Sequence, residues 1–315
     1  METIYDVVIL GAGPAGLSAG IYAGRSRLNT LLIEQGAVGG QIAVTDSIEN
    51  YPGQMPQGEK GTELVARMVA QVERFGVHRE QDMVKDVHVD GAIKEVVGYK
   101  GTYKGKTLII ATGAVHRPIG CKGEDEFRGR GVSYCATCDG DFFSGLDVYV
   151  VGGGDSAVQE AIFLTNFARK VYIVHRRDAL RAVKVLQEKA FANPKIEILW
   201  NSVIDEVGGQ DVLQWIKLRD TKTGEIHKVE ASPADGLLGV FGFIGLNPAS
   251  TLLKDKIKMD DNGYILTNDA METNVPGVYA AGDVRQKMLR QVVTAASDGA
   301  IAAVSAGKYL ESIEK

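Results

Sequence analysis

Two thiols separated by two residues, Cys135 and Cys138, stand in the run Cys135-Ala136-Thr137-Cys138-Asp139-Gly140. Thiols at this spacing can open and close a disulfide, or supply half of a zinc site. Asp139 follows at once and is a candidate proton donor and acceptor, because a departing thiolate needs a proton. An aspartate before a glycine also suits a plain turn. The remaining cysteine, Cys121, and the linker residue His116 are poorly spaced to complete a zinc set, so redox chemistry is the expectation and no metal is assigned. Phe142 and Phe143 come next, as candidates for an aromatic contact with a protein partner or for packing inside the domain.

A redox pair needs an electron source, and the chain carries two stretches suited to binding one. Ile4 to Leu10 is a short apolar run followed directly by Gly11-Ala12-Gly13-Pro14-Ala15-Gly16, then a helical pattern, then the strand-like Thr30 to Ile33 ending in Glu34 and Gln35. This is the strand, glycine turn and helix of a dinucleotide-binding unit, with Glu34 placed to accept hydrogen bonds from a ribose. Val148 to Val151 leads into a second turn, Gly152-Gly153-Gly154-Asp155-Ser156-Ala157, with a helix and the strand Val171 to Val174 after it. The same 23-residue interval separates Gly11 from Glu34 and Gly152 from His175. Where the first copy has its carboxylate, the second has His175-Arg176-Arg177, with Arg181 close behind. A carboxylate repels a 2′-phosphate and guanidinium groups bind one, so the second turn is expected to take NADP(H).

The rest of the chain supplies elements to position these turns. Thr62 to Phe75 has the apolar spacing of an amphipathic helix, and Val77 to Tyr103 breaks into short alternating pieces that suggest an antiparallel meander. Leu108 to Gly113, Asp235 to Ile244 and Val278 to Asp283 read as buried strands, and Arg290 to Leu310 as a helix. His116 to Gly120 and Gly245 to Pro248 read as linkers. At 315 residues, with 45% hydrophobic residues, the chain suits two domains. A net charge of −5 argues against nucleic acid and anionic membranes as partners. The start lacks a signal-peptide pattern and no apolar run is long enough to span a bilayer, so a cytoplasmic location is expected.

With these motifs side by side, the chain resembles the low-molecular-weight bacterial and archaeal thioredoxin reductases. The resemblance runs over nearly the whole length and rests on CATCDG, GGGDSA, HRRDALR, and GVYAAGD followed by RQVVTAASDGA. It implies an α/β fold of two Rossmann-like domains, each with a parallel sheet and a small antiparallel meander. The NADPH domain (117–244), which carries the Cys135–Cys138 disulfide, would be inserted into an FAD domain (1–116 and 245–315). FAD would lie against Gly11, Gly13, Pro14, Ala15, Gly16, Glu34, Gln35, Gly39, Gly40, Gln41, Asn50, Ala111, Thr112, Gly113, Gly282, Asp283, Arg290, Gln291 and Val292. NADPH would lie against Gly152, Gly154, Asp155, Ser156, Ala157, His175, Arg176, Arg177 and Arg181. Gln159 and Val292 depart from the commoner Glu and Ala. Relatives that draw electrons from ferredoxin lack the arginine pattern, which is intact here.

The implied activity carries electrons from NADPH through FAD and the Cys135–Cys138 disulfide to oxidised thioredoxin, in a homodimer. Which cysteine attacks thioredoxin stays open. The disulfide shares a domain with the NADPH site while FAD belongs to the other, unlike the glutathione reductase class, whose cysteines follow the first glycine turn. Rotation of the inserted domain about linkers near Ala114–Gly120 and Phe241–Pro248 is therefore expected. Alternatives are a flavin disulfide reductase of the same fold with another disulfide acceptor or donor, and a ferredoxin–NADP reductase type, which lacks the cysteine pair. The alkyl hydroperoxide reductase flavoprotein shares the core but adds an N-terminal redox module.

Overall fold

A computed structural model describes residues 3–45, 48, 50–54 and 58–313. The chain forms two compact units, 1–115 with 247–315, and 116–246.

In the first unit, β1 (Ile4–Leu10), α1 (Pro14–Arg25) and β2 (Thr30–Glu34) form the first dinucleotide-binding motif. A 3-10 turn at Gly40–Val44, α2 (Gly61–Arg74), β3 (His78–Gln81), β4 (Val84–His88), β5 (Lys94–Gly98) and β6 (Thr102–Ile110) follow. The sheet runs β3-β2-β1-β6-β5-β4. Its first four strands are parallel, and β5 and β4 return antiparallel. The expected meander is β4, β5 and the first half of β6, joined to the parallel strands in one sheet. The nine residues of β6 serve both the meander and the strand expected at Leu108–Gly113: their first half pairs with β5, while β1 pairs from Lys104 to Ile110. β3 departs from the meander reading, since it joins β2 in parallel.

The chain leaves this unit through β7 (Ala114–His116). The second unit contains α3 (Glu124–Phe127), β8 (Val132–Ser133), α4 (Ala136–Asp139), β9 (Asp147–Gly152), α5 (Asp155–Leu164) and β10 (Lys170–Val174). It continues with α6 (Lys184–Ala192), β11 (Ile196–Leu199), β12 (Ser202–Gly209), β13 (Leu213–Asp220), β14 (Ile226–Glu230) and β15 (Gly239–Phe243). A parallel sheet of order β11-β10-β9-β15-β8 carries the second glycine turn, and β12-β13-β14 form a separate antiparallel sheet. The linker expected to start at Phe241 starts later. Phe241 and Phe243 are buried and paired with Val150 and Gly152 of β9. The chain returns through β16 (Leu246–Pro248), which pairs with β7, and ends with β17 (Val278–Ala280) beside β6 and α7 (Val292–Ile313).

Alternation along the central strands explains why both sheets are buried on two faces. In β1, Val7 and Ile9 point to the core under α1, α2 and α7, while Val8 and Leu10 point to the opposite core. In β9, Val148 and Val150 meet the core under α5, while Tyr149 and Val151 meet residues of the three-stranded sheet such as Ile204 and Ile216. α1 and α7 approach almost backbone to backbone, because Gly299 has no side chain: a Cβ there would fall 2.0 Å from the Ala15 carbonyl. Among the described residues, no helix is long and apolar enough to cross a membrane.

Candidate active site

Cys135 and Cys138 form a disulfide. They hang from the edge of the second unit's sheet, where β8 pairs with β15 through Val132–Val240 and Ser133–Phe241. Cys135 caps α4: its Sγ accepts the Cys138 amide at 3.2 Å and lies 3.6 Å from Thr137 Oγ1. Cys135 is half-buried and Cys138 exposed. Buried Ala136 and the closely packed Gly140, where a Cβ would stand 3.2 Å from Phe167, seat the turn. The two aromatics that follow separate. Phe143 is buried edge-on to Phe241 over the gap left by Gly239, and Phe142 is 78% exposed.

One participant carries no motif signature. Ser133 Oγ donates to Asp139 Oδ2 at 2.6 Å and accepts the Cys135 amide at 3.0 Å. A small polar residue at the inner end of a strand leading into the cysteines was its only mark in the chain.

The second glycine turn lies on the same sheet. A Cβ on Gly152 would stand 2.5 Å from the Phe243 carbonyl, whereas one on Gly154, the cap of α5, would meet open space. No side chain caps α5, so its first amides face outward. His175 departs from the picture of a surface ligand. It is buried over Gly153, with Nδ1 and Nε2 each 3.0 Å from the carbonyls of Gly152 and Ala179. It shapes the loop, which closes back through the Arg181 amide on the Gly153 carbonyl at 2.7 Å. Asp155 likewise accepts the Val183 amide at 2.8 Å, and Ala157 is packed in the core. Arg176, Arg177 and Arg181 are exposed, and among the described residues their guanidinium groups have no hydrogen bond or ion pair.

The first turn repeats this geometry. A Cβ on Gly11 would fall 2.3 Å from the Ala111 carbonyl, one on Gly16 would strike the Gly11 carbonyl, and Gly13 faces open space. Pro14 opens α1 with its first amides uncapped. Glu34 is already engaged, accepting Ala12 N at 2.8 Å and Gly36 N at 2.9 Å, yet a carboxylate retains lone pairs for a hydroxyl. It borders a cleft of about 460 Å³ with Ala12, Gly36, Arg79 and Gln81, the last two from β3. Gly39 donates to the Ala12 carbonyl, and a Cβ on Gly40 would stand 3.5 Å from Gly13 Cα. Gln41 reaches the Ala114 carbonyl, and Thr112, before the left-handed Gly113 of φ 70°, reaches that of Ala249. These contacts gather the expected residues around the N-terminus of α1, except that Gln35 is exposed and, among the described residues, its side chain makes no hydrogen bond or ion pair.

The end of the chain closes this site. Gly282, with φ 79°, donates to Asp298 Oδ2 at 3.0 Å, and Asp298 is ion-paired to Lys287 and Arg285. This aspartate shares the buried face of α7 with Ala295 and Ala302, so a carboxylate at core spacing was the signal available for it. It pins the loop presenting Asp283, whose Oδ1 is buried without a partner among the described residues and whose carboxyl burial pushes up. Among the described residues Arg290 Nε is also buried and unpartnered, with its guanidinium 3.9 Å over the Tyr264 ring. Asn50 Nδ2 meets Gln291 Oε1 at 3.0 Å, and Val292 begins α7. Orphaned polar atoms beside an uncapped helix N-terminus fit a flavin nucleotide, and three unpaired arginines beside a second one fit a phosphorylated nicotinamide nucleotide.

Known proteins resemble this chain over nearly its whole length. Residues 5–299 match the pyridine nucleotide-disulphide oxidoreductases. The chain is 52% identical over 313 residues to the thioredoxin reductase of Peptoclostridium litorale, covering 99% of each. It is 47% identical over 317 residues to that of Bacillus subtilis (strain 168), covering 100% of this chain and 97% of the other. A crystal structure of Lactococcus lactis thioredoxin reductase matches with a TM-score of 0.93 at 43% identity, over 98% of this chain and 99% of that one. The chain belongs to the pyridine nucleotide-disulphide oxidoreductase family, among its low-molecular-weight thioredoxin reductases.

Proposed function

We propose that this protein carries electrons from NADPH through FAD and the Cys135–Cys138 disulfide to oxidised thioredoxin. The observation carrying the reading is that disulfide, set on the same sheet as a glycine turn with three unpaired arginines. FAD would be held by the Gly11–Gly16 turn, Glu34, Asp283 and Arg290, and NADPH by the Gly154–Ala157 turn with Arg176, Arg177 and Arg181. Asp283 suits a ribityl or ribose hydroxyl, which would satisfy its orphaned oxygen. When bound, the two nucleotides supply a hydride and a two-electron relay to a disulfide.

The chain's own part is thiol–disulfide exchange. Cys138 is the more exposed cysteine and attacks the disulfide of the partner; Cys135 then attacks Cys138 and frees the partner as a dithiol. Asp139 takes the proton of the attacking thiol and returns it to the sulfur that leaves. A homodimer is part of the same reading, and sedimentation at micromolar concentration tests it.

Anaerobic NADPH titration of the purified protein, followed by thioredoxin and a disulfide dye, tests the whole assignment. NADPH should bleach the flavin, and dye reduction should depend on thioredoxin. Bleaching without that dependence rejects the acceptor, and no bleaching rejects the donor. Cys135→Ser should trap a mixed disulfide on Cys138.

A further inference from the structure

We propose that Ser133 is a positioning residue for the exchange step: its hydroxyl fixes the Asp139 carboxylate beside the cysteine pair. The inference rests on the reading of Asp139 as the proton carrier. Ser133 is only 6% exposed, and its place is set by sheet pairing with Phe241. A hydroxyl has one proton to give. The Cys135 carbonyl lies 3.4 Å from Ser133 Oγ and Asp139 Oδ2 lies 2.6 Å away, so the proton goes to the carboxylate. The Cys135 amide fills a lone pair of the same hydroxyl at 3.0 Å. An amide, a hydroxyl and a carboxylate thus form a chain that begins at one cysteine and ends on the acid following the other.

Asp139 is half-buried, so without this bond its side chain would exchange among rotamers. With Oδ2 occupied, Oδ1, which makes no hydrogen bond among the described residues, is the oxygen left to exchange a proton. The turn itself has other supports, because α4 is already closed by the Asp139 amide on the Cys135 carbonyl and the Cys138 amide on Cys135 Sγ. In each cycle the Cys135–Cys138 dithiol is oxidised by two electrons and the partner disulfide is reduced by two. The proton that Asp139 accepts from the attacking thiol goes to the departing sulfur, so no further reactant is needed.

The test compares holoenzyme of wild type, Ser133→Ala, Ser133→Thr, Asp139→Asn and the Ser133→Ala/Asp139→Asn pair. Steady-state thioredoxin reduction and single-turnover bleaching by NADPH are measured on each. Ser133→Ala should lose about ten-fold in kcat for thioredoxin, with KM and NADPH bleaching unchanged. Ser133→Thr, which keeps the hydroxyl, should retain most of kcat, and the pair should be no slower than Asp139→Asn alone. The proposal is overturned if Ser133→Ala turns over like wild type, if Thr fails as badly as Ala, if bleaching falls with kcat, or if the two losses multiply. Should wild type itself fail to reduce thioredoxin, the functional reading falls and takes this inference with it. If only the Ser133 variants disagree, that reading stands.

Discussion

Phe142 and Phe143 are neighbours in the chain, and their side chains diverge. Phe143 lies in the second core, while Phe142 leaves an aromatic ring in water four residues after the exposed Cys138. Phe142→Ala should therefore raise KM for thioredoxin by about ten-fold, leaving the melting temperature and small-disulfide reduction unchanged, as steady-state assays with both acceptors would read. Cys121 gives a second residue-scale expectation. Burial, with Glu124 nearby, pushes its thiol up to about 12. After reduction, iodoacetamide at pH 8 should label Cys135 or Cys138 in the native protein and spare Cys121, as peptide mass spectrometry would show. Spacing in the chain was enough to pair the thiols and to align Glu34 with His175. It could not reveal that His175 turns inward over Gly153, because that depends on a ring filling the place of a missing side chain.

Elements were more legible where one period dominated. The helix over Gly61–Arg74 and both strand-turn-helix motifs follow from local pattern, since apolar spacing and glycine turns act within a few residues. The dual role of β6 was not legible, because pairing with β5 and with β1 is decided between strands distant in the chain. Packing of α7 on α1 is likewise non-local. Gly299→Ala should destabilise the first unit by roughly 3 kcal/mol, measured by urea unfolding, since the helices have no room to part. In β12, Glu206 is paired to Lys122 and Lys217, and these hydrogen bonds hold its carboxyl down at about 2 against an ordinary 4.5. A carboxyl lowered by folding stabilises the native state above its unfolded pKa, and that contribution fades as pH falls toward the folded one. Glu206→Gln should therefore lower the melting temperature at pH 7, and its gap from wild type should close between pH 4.5 and pH 2.

At the scale of the whole molecule, the chain passes between its units only through β7 and β16, paired as a two-stranded ribbon. The linker reading around His116–Gly120 shortens here, because the Glu124 carboxylate takes the amides of Ile119 and Gly120 and ties them into the second unit. We propose that rotation during turnover is confined to this ribbon and its glycines, Gly113 and Gly245, both left-handed. In a Cys121→Ser background, one engineered cysteine on each unit, joined by a short bis-maleimide while the native disulfide is closed, should cut thioredoxin turnover about ten-fold. A locked enzyme that turns over at the full rate would remove rotation from the mechanism.

The insertion also sets an order of assembly. β17 and α7 supply Tyr279, Ala302 and Ala306 to the first unit's core, yet they are made after all of residues 116–246. On the ribosome the inserted unit is complete while β1, β2 and α1 still lack their covering helix, so the portion of the enzyme synthesised first is the last to close.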